Sequence, residues 1–360
     1  MEEKIMESYK FLLDLALILF CTKMLGLFTR RINLPQVVGA LLAGLILGPG
    51  ILNVISQTDF INESAEIGVI VLMFCAGLET DIPQLKKTGK ASLLIAVLGV
   101  IVPLIGGTAI AWIFNRPGLI VSDAACNNAF LEDVFIGVIL TATSVSITVE
   151  TLKEIGKLST NAGNTILGAA VIDDILGIIA LTLITSLADS SVKISIVLLK
   201  ILGFFIFAAI FGYVFYRLFR MWSESSDKGL QRHVIVAFVF CLIMSYVAER
   251  FFGVADITGA YIAGMVLSLS DKESYLSKRF GTLSYIYLSP IFFASIGLKV
   301  ILPNMSATII IFAVVLTLVA MLTKLIGCGL GAKICHYTTR ESVQIGVGMI
   351  SRGEVALIVA

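Results

Sequence analysis

Long apolar runs dominate the chain, separated by short clusters of polar and basic residues. Twelve runs stand out, at about 8–29, 35–56, 65–80, 91–114, 133–150, 162–187, 194–219, 231–251, 256–270, 280–299, 307–333 and 341–360. Roughly 20 helical apolar residues cross about 30 Å of hydrocarbon, so the pattern predicts membrane-spanning helices. Four interruptions break it. Asp173-Asp174 lies inside the sixth run and Lys324 midway along the eleventh. Thr141, Thr143, Ser144, Ser146 and Thr148 crowd the fifth, and Gly346 to Glu354 brings three glycines and two opposite charges into the twelfth.

Composition agrees with the pattern. Of 360 residues, 58% are hydrophobic and 14% charged, with a mean hydropathy of +0.99. An ordinary soluble domain is far more polar, so the chain is read as an all-α polytopic membrane protein. The charged N-terminus followed by Phe11 to Phe28 lacks a small-residue cleavage site, which argues against a removable signal peptide. The cysteines Cys21, Cys75, Cys126, Cys241, Cys328 and Cys335 are scattered and read as small core residues, not a disulfide or metal framework. His233 and His336 flank loops and read as solvated.

Charge enters through the loops. Arg30, Arg31, Lys86, Lys87, Lys90, Lys153, Lys157, Arg217, Arg220, Lys228, Arg232, Lys272, Lys278, Arg279, Lys333 and Arg340 all follow odd-numbered runs. The opposite loops and the N-terminus hold only Lys4, Lys10, Arg116, Lys193, Arg250 and Lys299. By the positive-inside rule, the basic face is cytoplasmic and the N-terminus lies outside. Lys23 and Lys200 sit near span ends and read as snorkelling side chains.

An internal repeat is visible. Gly39-Ala40-Leu41-Leu42-Ala43-Gly44 resembles Gly259-Ala260-Tyr261-Ile262-Ala263-Gly264, and Gly77-Leu78 resembles Gly297-Leu298. The spacing from Gly39 to Gly77 and from Gly259 to Gly297 is 38 in both cases. The units lie an odd number of helices apart, so they are inverted, the architecture of many secondary transporters. The repeat also predicts a thirteenth helix after Ala360.

The interruptions carry the chemistry. A charge at mid-bilayer costs about 2.5–3.5 kcal/mol on insertion scales, so Asp173, Asp174 and Lys324 must face protein or water. Neighbouring acids point about 100° apart on a helix and can serve different partners, while Lys324 needs a counter-charge that the sixth helix can supply. The hydroxyl run competes for backbone groups. It fits either a broken helix at a midplane site or an intact helix with packed hydroxyls. Arg352 and Glu354 fit a pair with each other, or charges at the ends of half-helices. No nucleophile triad, metal-ligand cluster or phosphate-binding loop is visible, so neither enzyme activity, a cofactor nor a nucleic-acid partner is expected.

Taken with Leu34-Pro35-Gln36 to Gly48-Pro49, Leu72 to Glu79, Pro290-Ile291-Phe292-Phe293 and Ser351 to Leu357, these stretches resemble the monovalent cation/proton antiporter-2 family. The resemblance implies an inverted-repeat sodium/proton antiporter fold with two broken crossing helices, 12 helices present of 13, and a homodimer in membrane lipid. It implies transport helices at about 65–187 and 280–360, and dimer or scaffold helices at about 8–56 and 194–270, within one transmembrane domain. By the matching positions, Asp174 would be the essential ion-binding acid, with Thr143 and Ser144 beside it. Asp173 would pair with Lys324, and Glu354 would neutralise the helix crossing with Arg352 nearby. The implied activity is exchange of Na⁺, or K⁺ or Li⁺, for H⁺ across the cell membrane. The rival readings are a potassium/proton efflux antiporter, a cation channel, a sodium-coupled solute symporter and a non-transporting sensor. Uphill, proton-coupled cation movement would separate an exchanger from a channel, and solute-dependent Na⁺ uptake would mark a symporter.

Overall fold

The computed structural model describes residues 2–115, 129–188, 194–225, 230–301 and 306–353. The described chain is helical throughout, in the order α1 (Glu2–Arg31), α2 (Gln36–Leu47), α3 (Asp59–Leu78), α4 (Ile82–Phe114), α5 (Ala129–Ile139), α6 (Val145–Glu154) and α7 (Asn161–Ala188), then α8 (Ile194–Ser225), α9 (Leu230–Val247), α10 (Asp256–Ser268), α11 (Glu273–Leu283), α12 (Ser289–Leu298), α13 (Ala307–Ile334) and α14 (Thr339–Gly348). Among the described residues, eight helical stretches are long and apolar enough to cross a membrane. There are more α-helical segments than apolar runs because two runs are divided. The run at 133–150 breaks between α5 and α6. The run at 280–299 belongs to a longer stretch in which α11 and α12 are joined by a π-helical turn, Ser284–Leu288. A second π-helical turn, Ala248–Phe252, ends α9 at Gly253, whose φ of 63° suits a residue without a Cβ.

The helices pack in two groups. In one, α4 lies between α13, α7 and α5, and α14 packs on α13 and α7. In the other, α2 packs on α1 and α12, and α10 packs on α3 and α9. The segments near 65–80 and 280–299, expected among the transport helices, therefore lie against helices expected in the scaffold. Small residues explain this placement. A Cβ on Gly44 of α2 would fall on the Ala294 carbonyl of α12, and one on Gly297 of α12 would fall on the Leu41 carbonyl of α2. In the same way, Gly264 of α10 abuts the Phe74 carbonyl of α3, and Gly77 of α3 abuts the Tyr261 carbonyl of α10. These contacts are repeat equivalents of one another, so the inverted repeat read from the sequence is also a reciprocal packing scheme. Helix approach this close is typical of membrane interiors, where small residues let backbones meet.

Outward faces stay apolar. Leu199, Ile210 and Tyr213 of α8, and Ile311 and Leu322 of α13, are exposed, as suits contact with lipid. Cys75, Cys241 and Cys328 are buried and unbridged. Lys200 is exposed, and Lys23 lies over the Tyr285 ring at 4.1 Å. His336 is exposed. His233 departs from its expected solvated position: it is 1% exposed, with its ring 4.3 Å from that of Trp222 and 5.8 Å from that of Phe219. The end of α8 folds back over the start of α9 and covers it. Asp14 is also buried.

Candidate functional site

The break between α5 and α6 is built by the hydroxyl run itself. The Thr141 hydroxyl donates to the Val138 carbonyl at 2.7 Å, satisfying one of the orphan acceptors at the end of α5. Ser144 has extended backbone and caps α6, its Oγ accepting from the Ile147 N–H at 3.3 Å. Between them Ala142 and Thr143 lie outside either helix. A second interruption follows α14, and the two cross. The Ser144 N–H donates to the Ser351 carbonyl at 3.0 Å, and the Ser351 hydroxyl donates back to the Ser144 carbonyl at 2.9 Å. Thr148 reaches the Gly348 carbonyl at 3.0 Å and lies 2.6 Å from the Ser351 hydroxyl. Polar backbone freed at membrane depth is thus satisfied by the opposite segment, as an apolar surrounding requires.

Arg352 sits at this crossing. Its Nη2 donates to the Leu140 carbonyl at 2.8 Å, and Nη1 reaches the Ile350 and Ser351 carbonyls at 3.3 Å. A cation therefore meets the C-terminal end of α5, where the helix dipole is negative. The guanidinium thus lies at a half-helix end. Glu354 lies outside the described residues.

Beside the crossing, α7 carries the acid pair. Lys324 Nζ, from α13, donates to both carboxylate oxygens of Asp173 at 2.7 and 2.9 Å, and both side chains are essentially inaccessible. The Thr143 hydroxyl, fully buried, and the Arg352 guanidinium face the same carboxylate. Thr143 makes no well-formed hydrogen bond there. Room for the pair comes from Gly99 of α4: a Cβ there would lie 2.7 Å from Cys328 Sγ, 3.5 Å from Lys324 Nζ and 3.7 Å from Asp173 Oδ1.

Asp174 takes a different position. It is half-buried and lines a cavity of about 780 Å³ between the two helix groups. Thr141, Ala142 and Asp173 line the same wall, while Asn62, Glu66, Asp256 and Ser295 stand on the facing wall, from α3, α10 and α12. The cavity runs from the acid pair to the face opposite the basic loops, where Gln57, Glu249 and Lys299 surround it. Both acids thus border the passage, but they differ in state: Asp173 is nearly inaccessible and bound to Lys324, while Asp174 is half-buried beside it. Thr143 and Ser144 belong to the crossing and the ion pair and do not line the passage; Thr141 and Ala142 do. The facing wall was not picked out from the sequence. Its sequence signal is that Glu66 and Asp256 stand at the start of the third and ninth runs, on the less basic face.

Such an arrangement can hold a small cation or a proton on a carboxylate that water can reach, beside a buried ion pair that senses its charge. Comparison with known proteins agrees with this chemistry. Residues 16–360 match the family model described as sodium/hydrogen exchanger, transmembrane. The chain is 38% identical over 350 residues to the Na⁺/H⁺ antiporter of Enterococcus hirae, covering 96% of this chain and 87% of that protein. It is 37% identical over 354 residues to the Na⁺/H⁺-K⁺ antiporter GerN of Bacillus cereus, covering 98% and 88%. The sodium proton antiporter MjNhaP1 of Methanocaldococcus jannaschii shares the fold, with a TM-score of 0.70 at 19% identity over all of this chain and 86% of that one. With nearly its whole length matched by the model and by relatives of this identity, the chain belongs to the sodium/hydrogen exchanger family.

Proposed function

We propose that the protein is a secondary active antiporter exchanging Na⁺ for protons across the cell membrane, with Asp174 as the ligand the two ions share. The carrying observation is the different state of the two acids on the passage: Asp173 is locked to Lys324, while Asp174, half-buried, stands outside that ion pair. A carboxylate that holds either a cation or a proton, and not both, couples their movements. Cation arrival at Asp174 adds positive charge next to the Asp173–Lys324 pair, which makes that pair a coupling element. The two carboxylates titrate as one coupled set. The similarity to a Na⁺/H⁺ antiporter supports Na⁺, and the similarity to the Na⁺/H⁺-K⁺ antiporter GerN supports K⁺ as a further cation.

In this reading the group of α4 to α7, α13 and α14 moves against the scaffold of α1 to α3 and α8 to α12, so that the site faces one side and then the other. The basic face is cytoplasmic, and the passage opens outward. The working unit is a homodimer in the lipid bilayer. Currents from purified protein on a solid-supported membrane, after steps of Na⁺, K⁺ and Li⁺ at several pH values, test the reading. Exchange predicts cation-dependent currents whose response to Na⁺ weakens as protons compete. Currents indifferent to pH would contradict it.

A further inference from the structure

On the basic face the half-helix α6 ties the two helix groups together by side-chain bonds to α2 and to the end of α3. Three charged residues crowd its last turns, Glu150, Lys153 and Glu154. Lys153 Nζ lies 2.7 Å from Glu79 Oε1 at the end of α3, and the Ser277 hydroxyl of α11 donates to the same carboxylate at 3.2 Å. Glu154 Oε2 accepts the Gln36 N–H at 2.7 Å. That second contact is unusual. Gln36 opens α2 behind Pro35, which supplies no side-chain cap. The exposed N–H and positive dipole end of α2 are met instead by a carboxylate from the other helix group. Glu150 reaches into a small pocket of about 250 Å³ whose other walls are scaffold helices, with Lys23 of α1, Ala40 of α2, and Tyr285 and Ser289 at α12.

We infer that Glu79, Lys153 and Glu154 form the inner gate: they hold the basic face shut while the passage to Asp174 is open on the other, and the pocket at Glu150 is where the inner passage widens once they part. The inference rests on the exchange reading only in taking the two helix groups to move. Its geometry suits a latch. Both contacts join α6 to the scaffold. The ion pair is partly exposed, its side chains 37% and 26% accessible, so breaking it leaves no charge stranded in an apolar interior. An exposed pair of this kind is a weak bond, as a contact broken in every cycle should be. Because α6 begins at the helix crossing, its displacement is transmitted directly to the site.

The test measures accessibility at both ends of the molecule. Alanines in the two cavities are replaced singly, Ala40→Cys in the inner pocket and Ala65→Cys in the open passage. Alkylation by a polar maleimide is followed position by position by peptide mass spectrometry in lipid nanodiscs. Glu79→Gln or Lys153→Gln raises labelling at position 40 by about fivefold and lowers it at position 65, the shift expected from losing one exposed pair. Adding Glu154→Gln enlarges both changes, and the charge exchange Glu79→Lys with Lys153→Glu restores the original ratio. General destabilisation would raise labelling at both positions, and that result, or unchanged labelling at both, overturns the gate. No transport assay enters the measurement, so failures are distinguishable: wild-type protein that moves no cations overturns the exchange reading, and an unmoved labelling ratio overturns the gate.

Discussion

A single lysine shows how far a residue's surroundings dictate its role. Lys324 is fully buried, and a charge there persists only with a partner. Asp173 supplies it through two short bonds. Replacing Lys324 by Ala strands that carboxylate and should cost about 3–5 kcal/mol, read as a lower unfolding midpoint in detergent. Removing both partners with apolar residues should cost markedly less, and equal losses would show that the pair is not the source. Gly99 makes a sharper case. Gly99→Ala puts a methyl group 2.7 Å from Cys328 Sγ and should destabilise the protein and disturb exchange. Adding Cys328→Ala removes that clash and should recover most of both; a double variant as impaired as the single one would exclude the contact as the cause. That Lys324 would need a partner from the sixth helix was legible in the sequence because a mid-run charge has so few solutions, and the family resemblance pointed to Asp173. Asp174's passage was not, because its far wall comes from the ends of α3, α10 and α12, remote in sequence and individually ordinary. His233 was misjudged for a related reason: the rings that cover it belong to another helix.

At the scale of elements, hydroxyls and glycines marked the two spans that break, and the family resemblance favoured a break over an intact helix with packed hydroxyls. What the sequence left open was how the breaks are held. The answer is reciprocal: Ser144 and Ser351 exchange bonds, Thr148 reaches across to Gly348, and Arg352 closes the end of α5. Thr148→Val removes the hydroxyl that ties α6 to the end of α14. It should cost about 1–2 kcal/mol and speed amide exchange in the segment after α14, followed by mass spectrometry. Unaltered exchange there would show that the crossing does not depend on it. The sorting of helices was harder to read than the breaks. Helices near 65–80 and 280–299 continue the apolar pattern of their neighbours, and only the close backbone contacts at Gly77 and Gly297 reveal the group to which each belongs. Their matched spacing was visible as a repeat; their partners were not.

For the whole molecule, composition and loop charge were enough to give a polytopic helical protein with a basic face, and the inverted repeat pointed to a transporter. The conformation was beyond the sequence. The seam between the helix groups is open from one face down to Asp174 and pinned at the other by α6. This asymmetry gives the two faces different tasks in one cycle. The central claim is that Asp174 is the ligand shared by cation and proton. It is tested most directly by loading proteoliposomes with purified protein and measuring uptake of radioactive Na⁺ driven by an imposed proton gradient. Wild-type protein should accumulate Na⁺ against its gradient, and Asp174→Asn, folded and reconstituted to the same level, should not. Accumulation by the variant at the wild-type rate would contradict the account.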